Sequence, residues 1–87
     1  MTNKPTTVLR WVSEKMEVPV DEIRSHNRKP RLVEARAQVA HILRDFLKMS
    51  YPAIGEVLDR DHTSVINLVN YHKRVFTAEQ ILDIKDE

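Results

Sequence analysis

The sequence predicts an all-α protein, a small bundle of about five or six helices that includes a helix-turn-helix. Apolar residues recur at three- and four-residue spacing along most of the chain, and no useful segment alternates with the two-residue period of a strand. The chain has four prolines and one glycine, which leaves little room for long flexible linkers. Its 87 residues, 41% of them hydrophobic, are enough for one domain with one core.

The composition excludes several kinds of chemistry. The chain has no cysteine, which excludes disulfides, thiolate nucleophiles and cysteine-based zinc sites and fits a reducing cytoplasm. Its four histidines lack the spacing of metal ligands, and there is no glycine-rich phosphate loop or nucleophile elbow. There is no long apolar run and no pattern of a secretory signal. We therefore expect a cytoplasmic protein that is not an enzyme, has no cofactor or metal, and does not bind a membrane.

Charge is distributed unevenly, although the formal net charge is only +1. Residues 24–48 contain seven basic and two acidic residues, a net +5, whereas residues 51–87 contain four basic and seven acidic residues, a net −3. A basic centre beside an acidic end favours one face for an anionic partner. Such a segment is also often a solvated surface, so charge alone does not decide the function.

The first part of the chain predicts a helix, a helical turn and a basic loop. Apolar spacing predicts the helix over about residues 7–17, capped by Thr6 or Thr7 and ended by Pro19. Residues 20–23 predict a short helical turn, and the polar residues 25–31 predict a loop. An arginine on such a loop can enter a minor groove, or it can simply be solvated.

The longest predicted helix runs from residue 31 or 32 to about residue 48. Its buried side is marked by apolar residues at helical spacing, namely Val33, Ala37, Ala40, Leu43 or Phe46, and Leu47. Arg36 and Arg44 are about two turns apart, so we expect them on the same exposed side. There they could straddle a phosphate backbone, or they could be solvated.

A helix-turn-helix is predicted over about residues 51–75. Its first helix has Ser50 as a suitable N-cap and Pro52 in its first turn. Gly55 lies inside this short helix at a cost of about 1 kcal/mol against alanine, which we attribute to close packing against another helix. The connection to the second helix is only a few residues long, around residues 58–60.

The second helix of the motif is expected from His62 to about Val75. Asp61 is a good N-cap, because its carboxylate can accept hydrogen bonds from free N–H groups of the first turn. His62, Thr63 and Ser64 then form an exposed polar tip, anchored by an apolar stripe made of Val65, Ile66, Leu68 and Val69. Such a tip suits contact with base edges in a major groove, and the alternative is an ordinary capped surface helix.

A last short helix is predicted at the C-terminal end of the chain. Residues 77–80, Thr-Ala-Glu-Gln, match a capping box. Ile81 would then dock on the core.

Three segments occur together in one order. They are a basic loop and long helix over residues 28–43, Ser-Tyr-Pro-Ala-Ile-Gly at residues 50–55, and Arg-Asp-His-Thr-Ser-Val at residues 60–65. With them, roughly residues 6–75 resemble the C-terminal DNA-binding domain, domain IV, of the bacterial replication initiator DnaA. The resemblance implies a Trp-repressor-like helix-turn-helix that binds double-stranded DNA at DnaA-box-like sites. We accordingly expect residues 1–87 to form one such domain.

The resemblance also implies roles for individual residues. Base contacts would come from Arg28 in the minor groove and from Asp61, His62 and Thr63 in the major groove. Contacts to the DNA backbone or groove edge would come from Arg36, Arg44, Tyr51, Pro52, Arg60, Ser64 and Asn67.

The chain departs from the family pattern at several positions. A glycine pair usually precedes the arginine of the turn, but here only Asp59 does, so the connection is one residue shorter and could tilt the second helix. Ala37 stands where a polar residue is common, which would remove one DNA contact. Ser64 stands where threonine is usual and keeps the hydroxyl. These departures bear on the exact target sequence.

The sequence also lacks anything that could bind ATP, which a complete initiator needs. The chain is then either an excised domain or a stand-alone DNA reader, and the start at Met1 together with the predicted C-terminal helix favours the second. We expect it to act in replication or its regulation, as a monomer on DNA, with a replication initiator or another replication protein as a further partner. The rival hypothesis is a protein-interaction module or transcription regulator on the same fold that does not bind a DnaA box, favoured by the low net charge.

Overall fold

Five α-helices make up the part of the chain that the computed structural model describes, residues 5–74. They are α1 (Pro5–Met16), α2 (Val20–Ile23), α3 (Pro30–Asp45), α4 (Tyr51–Leu58) and α5 (His62–Lys73). The predicted all-α class is confirmed, since residues 5–74 contain no strand. None of the helices in this range is long and apolar enough to cross a membrane. The helix α5 ends at Lys73, two residues before the expected Val75, and the helix predicted from residue 77 lies outside the described residues.

The helix α3 is central, because it packs against each of the other four helices. Ten of its 16 residues are buried, so it is buried on more than one face. Ala35, Ala37 and Ala40 are fully buried and are small enough to let neighbouring helices approach closely. Of the two alternatives for the buried stripe, Leu43 is fully buried, whereas Phe46 is 50% exposed just beyond the end of α3.

The helix α1 begins earlier than predicted, at Pro5, so Thr6 and Thr7 lie inside its first turn and do not occupy the cap position. Proline suits a first helical position, because its missing N–H would have no partner within the helix there. The helix ends at Met16 because Glu17 adopts a left-handed conformation with φ of 59°. Pro19, which we predicted to end α1, instead occupies the N-cap position of α2.

The connection between α3 and α4 starts three residues earlier than predicted, after Asp45. Lys48 has a positive φ of 58°, and the Met49 N–H donates to the Leu43 carbonyl over 3.1 Å. The predicted N-cap of α4 is confirmed, since Ser50 Oγ accepts from the Ala53 N–H over 3.3 Å. The chain therefore changes direction between Asp45 and Tyr51, and α4 packs against α3.

The turn between α4 and α5 explains the single glycine. A Cβ on Gly55 would lie 2.3 Å from the Arg60 carbonyl oxygen, closer than real Cβ contacts allow. The expected reason, packing against another helix, is therefore wrong, because the close neighbour is the backbone of the turn. Asp59 makes the reversal in the left-handed conformation, with φ of 57° and ψ of 49°. The N–H groups of Asp59 and Arg60 both donate to the Gly55 carbonyl.

Candidate nucleic-acid interface

The tip of α5 has the predicted capped geometry. Asp61 is extended, with φ of −76° and ψ of 165°, and its Oδ1 accepts from the Ser64 N–H over 2.8 Å. That backbone N–H holds the pKa of the Asp61 carboxyl below its usual value, so the cap stays ionised near neutral pH. Val65 and Val69 are fully buried on the opposite face. The helix is thus anchored from behind while His62 and Thr63 remain exposed.

An open groove lies between the loop after α2, the helix α4 and the helix α5. It brings together eight residues that the sequence singled out for DNA contact: Arg28, Arg36, Pro52, Arg60, Asp61, His62, Ser64 and Asn67. Thr63, Arg44 and Tyr51 do not line this groove. The basic loop and the tip of α5 therefore line the same groove, as residues that contact one DNA duplex would have to.

Arg44 and Tyr51 form a separate pair at the junction of α3 and α4. The Arg44 guanidinium lies over the Tyr51 ring, 4.2 Å from its centroid. Its Nη1 donates to the Met49 carbonyl over 2.9 Å. Arg44 is thus half-buried and fixed by its neighbours rather than fully solvated.

Arg36 does not lie on the exposed side of α3, so that prediction is wrong. Its side chain is only 3% exposed. Its Nε donates to the Ile23 carbonyl over 2.6 Å, and its Nη2 donates to the carbonyls of Glu22 and Ser25 over 3.1 and 2.8 Å. These carbonyls lie at the end of α2, where a helix leaves acceptors without intrahelical partners. Burial lowers the pKa of Arg36, and the nearby charge of Arg60 lowers it further.

The loop that carries Arg28 is ordered by its own side chains. Ser25 Oγ donates to the Glu22 carbonyl over 2.7 Å and accepts from the Asn27 N–H over 3.2 Å. Asn27 Oδ1 accepts from the Lys29 N–H over 2.9 Å. Arg28 itself is exposed and borders the groove, as a residue reaching into an adjacent minor groove would have to be.

Several groove residues were not anticipated from the sequence: His26, Val33, Gly55, Glu56, Asp59, Leu68 and Tyr71. Tyr71 is 53% exposed and follows Asn67 at helical spacing, a signal that could have identified it. Glu56 and Asp59 add negative charge opposite the arginines, so the groove is mixed in charge rather than uniformly basic. Within residues 5–74 no group of three His, Cys, Asp or Glu side chains could hold a metal ion.

Residues 5–71 match the family model described as the bacterial DnaA protein helix-turn-helix. The chain belongs to this family. The predicted resemblance to the DnaA C-terminal domain is thereby confirmed.

The relatives it resembles are chromosomal replication initiator proteins DnaA. The chain is 37% identical to the protein of Mycoplasma pneumoniae over 65 residues, which cover 75% of this chain and 15% of that protein. It is 34% identical to the protein of Mycoplasma genitalium over 65 residues, which again cover 75% of this chain and 15% of that protein. It is 33% identical to the protein of Deinococcus deserti over 63 residues, or 72% of this chain and 14% of that protein. The chain thus spans about 15% of the length of the first two relatives.

Two departures from the DnaA helix-turn-helix pattern now have a structural location. The shorter turn reverses direction at Asp59, which adopts the left-handed conformation that glycine adopts most readily. Ala37 is fully buried. Its side chain therefore lies inside the bundle, and the loss of a DNA contact at this position stays a prediction.

Proposed function

We propose that this DnaA-family chain binds double-stranded DNA sequence-specifically at DnaA-box-like sites, as one reader domain over residues 1–87. One observation carries the proposal: the capped polar tip of α5 and the exposed Arg28 of the loop border the same groove. A recognition helix contacts base edges through its N-terminal residues, and an arginine on an adjacent arm can enter the minor groove.

In this arrangement the tip of α5 enters the major groove. Asp61 accepts a hydrogen bond from a cytosine amino group while its Oδ1 also accepts from the Ser64 N–H and caps the helix. The Thr63 methyl contacts a thymine methyl. His62, exposed between them, contacts a neighbouring base edge. Thr63 does not line the groove that Arg28 borders, so we assign it to a base farther along the major groove.

The remaining contacts position the protein on the duplex. Pro52, Arg60, Ser64 and Asn67 border the groove and are assigned to phosphates or the groove edge. Arg44 and Tyr51, stacked on each other outside the groove, are assigned to a flanking phosphate. Arg36 has its guanidinium directed at backbone carbonyls, so its share in DNA contact is at most indirect.

We place this activity in replication or its regulation, in the cytoplasm, with the chain acting as a monomer on DNA. A replication initiator or another replication protein is the further partner expected. A stand-alone reader of this kind could occupy initiator sites or compete with an initiator for them. The ATP-dependent work of a complete initiator is not part of the proposal.

The test is fluorescence anisotropy with a duplex that carries a DnaA box and with a scrambled duplex, each at two salt concentrations. We expect box-preferring binding that weakens with salt, since phosphate contacts release counterions. Arg28→Ala and His62→Ala should each weaken box binding by about 5- to 150-fold, the equivalent of about 1–3 kcal/mol for a lost specific contact. Arg10→Ala, an exposed arginine of α1 that does not border the groove, is the matched control.

The mixed charge of the groove supports one rival function, a protein-interaction module. Glu56, Asp59 and Asp61 stand against Arg28 and Arg60, and such alternation also suits a polar protein partner. No binding to either duplex at low salt would favour this rival. Salt-sensitive binding without box preference would keep DNA as the ligand and indicate that the shortened turn has changed the site.

A further inference from the structure

The Ser25 carbonyl joins three parts of the molecule. It accepts from Arg36 Nη2 of α3 over 2.8 Å and also from Arg60 Nη2 of the turn between α4 and α5. Ser25 itself begins the loop that carries Arg28. One backbone oxygen therefore links the central helix, the basic loop and the helix-turn-helix.

The Arg36 side of this link is buried and rigid. Besides Ser25, the guanidinium donates to the carbonyls of Ile23 and Glu22 over 2.6 and 3.1 Å. Its planar fork holds several N–H donors in fixed directions toward these carbonyls, whereas the donors of a lysine radiate from one nitrogen. The end of α2 is thereby fixed to α3 before the loop begins.

The Arg60 side holds the turn to the loop. Arg60 Nη1 donates to the Asp59 carbonyl over 3.1 Å and lies 3.5 Å from His26 Nδ1. His26 Nε2 in turn lies 3.7 Å from Asp59 Oδ2. Part of the Arg60 guanidinium is thus directed at the loop rather than at solvent.

We propose that Arg36 and Arg60 are positioning residues that fix the Arg28 loop relative to the tip of α5 through the Ser25 carbonyl. We call Arg36, Ser25 and Arg60 the arginine clamp. Arg28 is three residues beyond Ser25, and Asp61 directly follows Arg60. The clamp therefore fixes the residues at which the Arg28 loop and the tip of α5 begin. The DNA part of this inference rests on the proposed function.

The physical benefit is preorganisation. A free loop would lose conformational entropy when its arginine entered a groove, whereas a clamped loop has already lost it on folding. Two guanidinium groups so close together repel each other, and the nearby charge of Arg60 is one cause of the lowered pKa of Arg36. The shared carbonyl, negative at its oxygen, offsets that repulsion.

A double-mutant cycle on DNA binding tests whether the clamp couples the two elements. Arg28→Ala is measured in the natural chain and in the Arg60→Met background, with the box-carrying duplex. We expect a loss of about 10-fold or more in the natural chain but of less than about 3-fold in the Arg60→Met background. If Arg60 only contacted a phosphate, Arg28→Ala would cost the same factor in both backgrounds, and that result would overturn the coupling.

A second measurement needs no DNA. Backbone amide order parameters of residues 26–28 should be about 0.8 in the natural chain and fall below about 0.6 in Arg60→Met. Arg10→Met is the control and should leave them unchanged. Arg36→Met removes a buried guanidinium and can unfold the chain, so Arg60→Met carries the test. Unchanged order in Arg60→Met would overturn the clamp even if DNA binds. Absence of DNA binding would instead remove the proposed function and leave the order parameters to decide on the clamp.

Discussion

His41 Nδ1 lies 3.1 Å from His72 Nδ1, and this contact joins α3 to the last turn of α5. Both rings are buried, with exposures of 0% and 2%, and they meet edge to face with centroids 5.3 Å apart. His41 Nε2 lies 3.1 Å from Asp45 Oδ2, and Lys73 Nζ lies 3.0 Å from Asp45 Oδ1. The helix α5, whose N-terminal tip we propose to contact DNA, is thus anchored at its other end by a polar network.

This network makes stability depend on pH. Burial, followed by the charges of His41 and Lys15, lowers the pKa of His72 to about 4 from an ordinary 6.5. Burial is also the largest cause that lowers the pKa of His41, which Lys73 lowers further and Asp45 raises. Between pH 4 and pH 6.5, the folded and ordinary pKa values of His72, the unfolded chain binds more protons than the folded one. Stability is therefore full above pH 6.5 and falls as the pH drops toward 4. We expect a loss of about 2 kcal/mol between pH 7 and pH 5 in urea unfolding.

Two variants test this pH dependence, His72→Gln as the test and His26→Gln as its control. The first removes a buried titrating ring and should flatten the decline, while the second changes an exposed histidine and should leave it intact. An unaltered slope in His72→Gln would assign the decline to other groups.

Gly55→Ala should destabilise the protein by about 1–3 kcal/mol, although alanine is the better helix former by about 1 kcal/mol. The added Cβ would lie 2.3 Å from the Arg60 carbonyl, a backbone atom of the turn that cannot swing away. Urea unfolding measures the change, with Ala53→Gly on the same helix as the propensity control. A more stable Gly55→Ala would mean that the turn can open at little cost.

Asp59→Gly should stabilise the protein by about 0.5 kcal/mol, because Asp59 has φ of 57° and ψ of 49°. Asp59→Val at the same position should cost about 1–2 kcal/mol, since a β-branched side chain clashes in the left-handed region. Thermal unfolding of the two variants side by side gives the difference. Equal stabilities would show that the turn adopts another conformation in solution.

Asp61→Asn should separate the two roles of this residue. The amide oxygen can still accept from the Ser64 N–H, so the melting temperature should stay near that of the natural chain, whereas Asp61→Ala should lower it. In DNA binding both variants should lose preference for the box by about 10-fold, because neither offers a carboxylate to a cytosine amino group. Retained preference in Asp61→Asn would restrict Asp61 to capping.

The parts of the fold and site that sequence could predict are the local ones. Ser50 and Asp61 cap helices through N–H groups three residues away, so residue type and spacing were enough to identify them. The all-α class and the helix-turn-helix follow from apolar periodicity in the same way. The family resemblance then supplied the candidate DNA contacts, because nothing in the spacing itself identifies a base-reading residue.

The parts that sequence could not predict depend on distant partners. Arg36 was expected outside because basic side chains usually lie there, yet its acceptors on Ile23 and Ser25 are 13 and 11 residues earlier in the chain. The role of Gly55 depends on where the Arg60 carbonyl returns after the turn. The His41–His72 contact spans 31 residues and has no local signature at all.

Three arginines donate to backbone carbonyls at helix ends or in the connection after a helix, in a chain with a single glycine. Arg31 donates to the Met16 carbonyl at the end of α1, Arg36 to the Ile23 carbonyl at the end of α2, and Arg44 to the Met49 carbonyl after α3. Exchange of arginine for lysine preserves charge and is commonly regarded as neutral drift, but a lysine has no planar fork to span neighbouring carbonyls. Natural variation should therefore keep arginine at position 36, where the fork spans the carbonyls of Ile23, Glu22 and Ser25, and accept lysine more freely where a single carbonyl is contacted or only positive charge is needed.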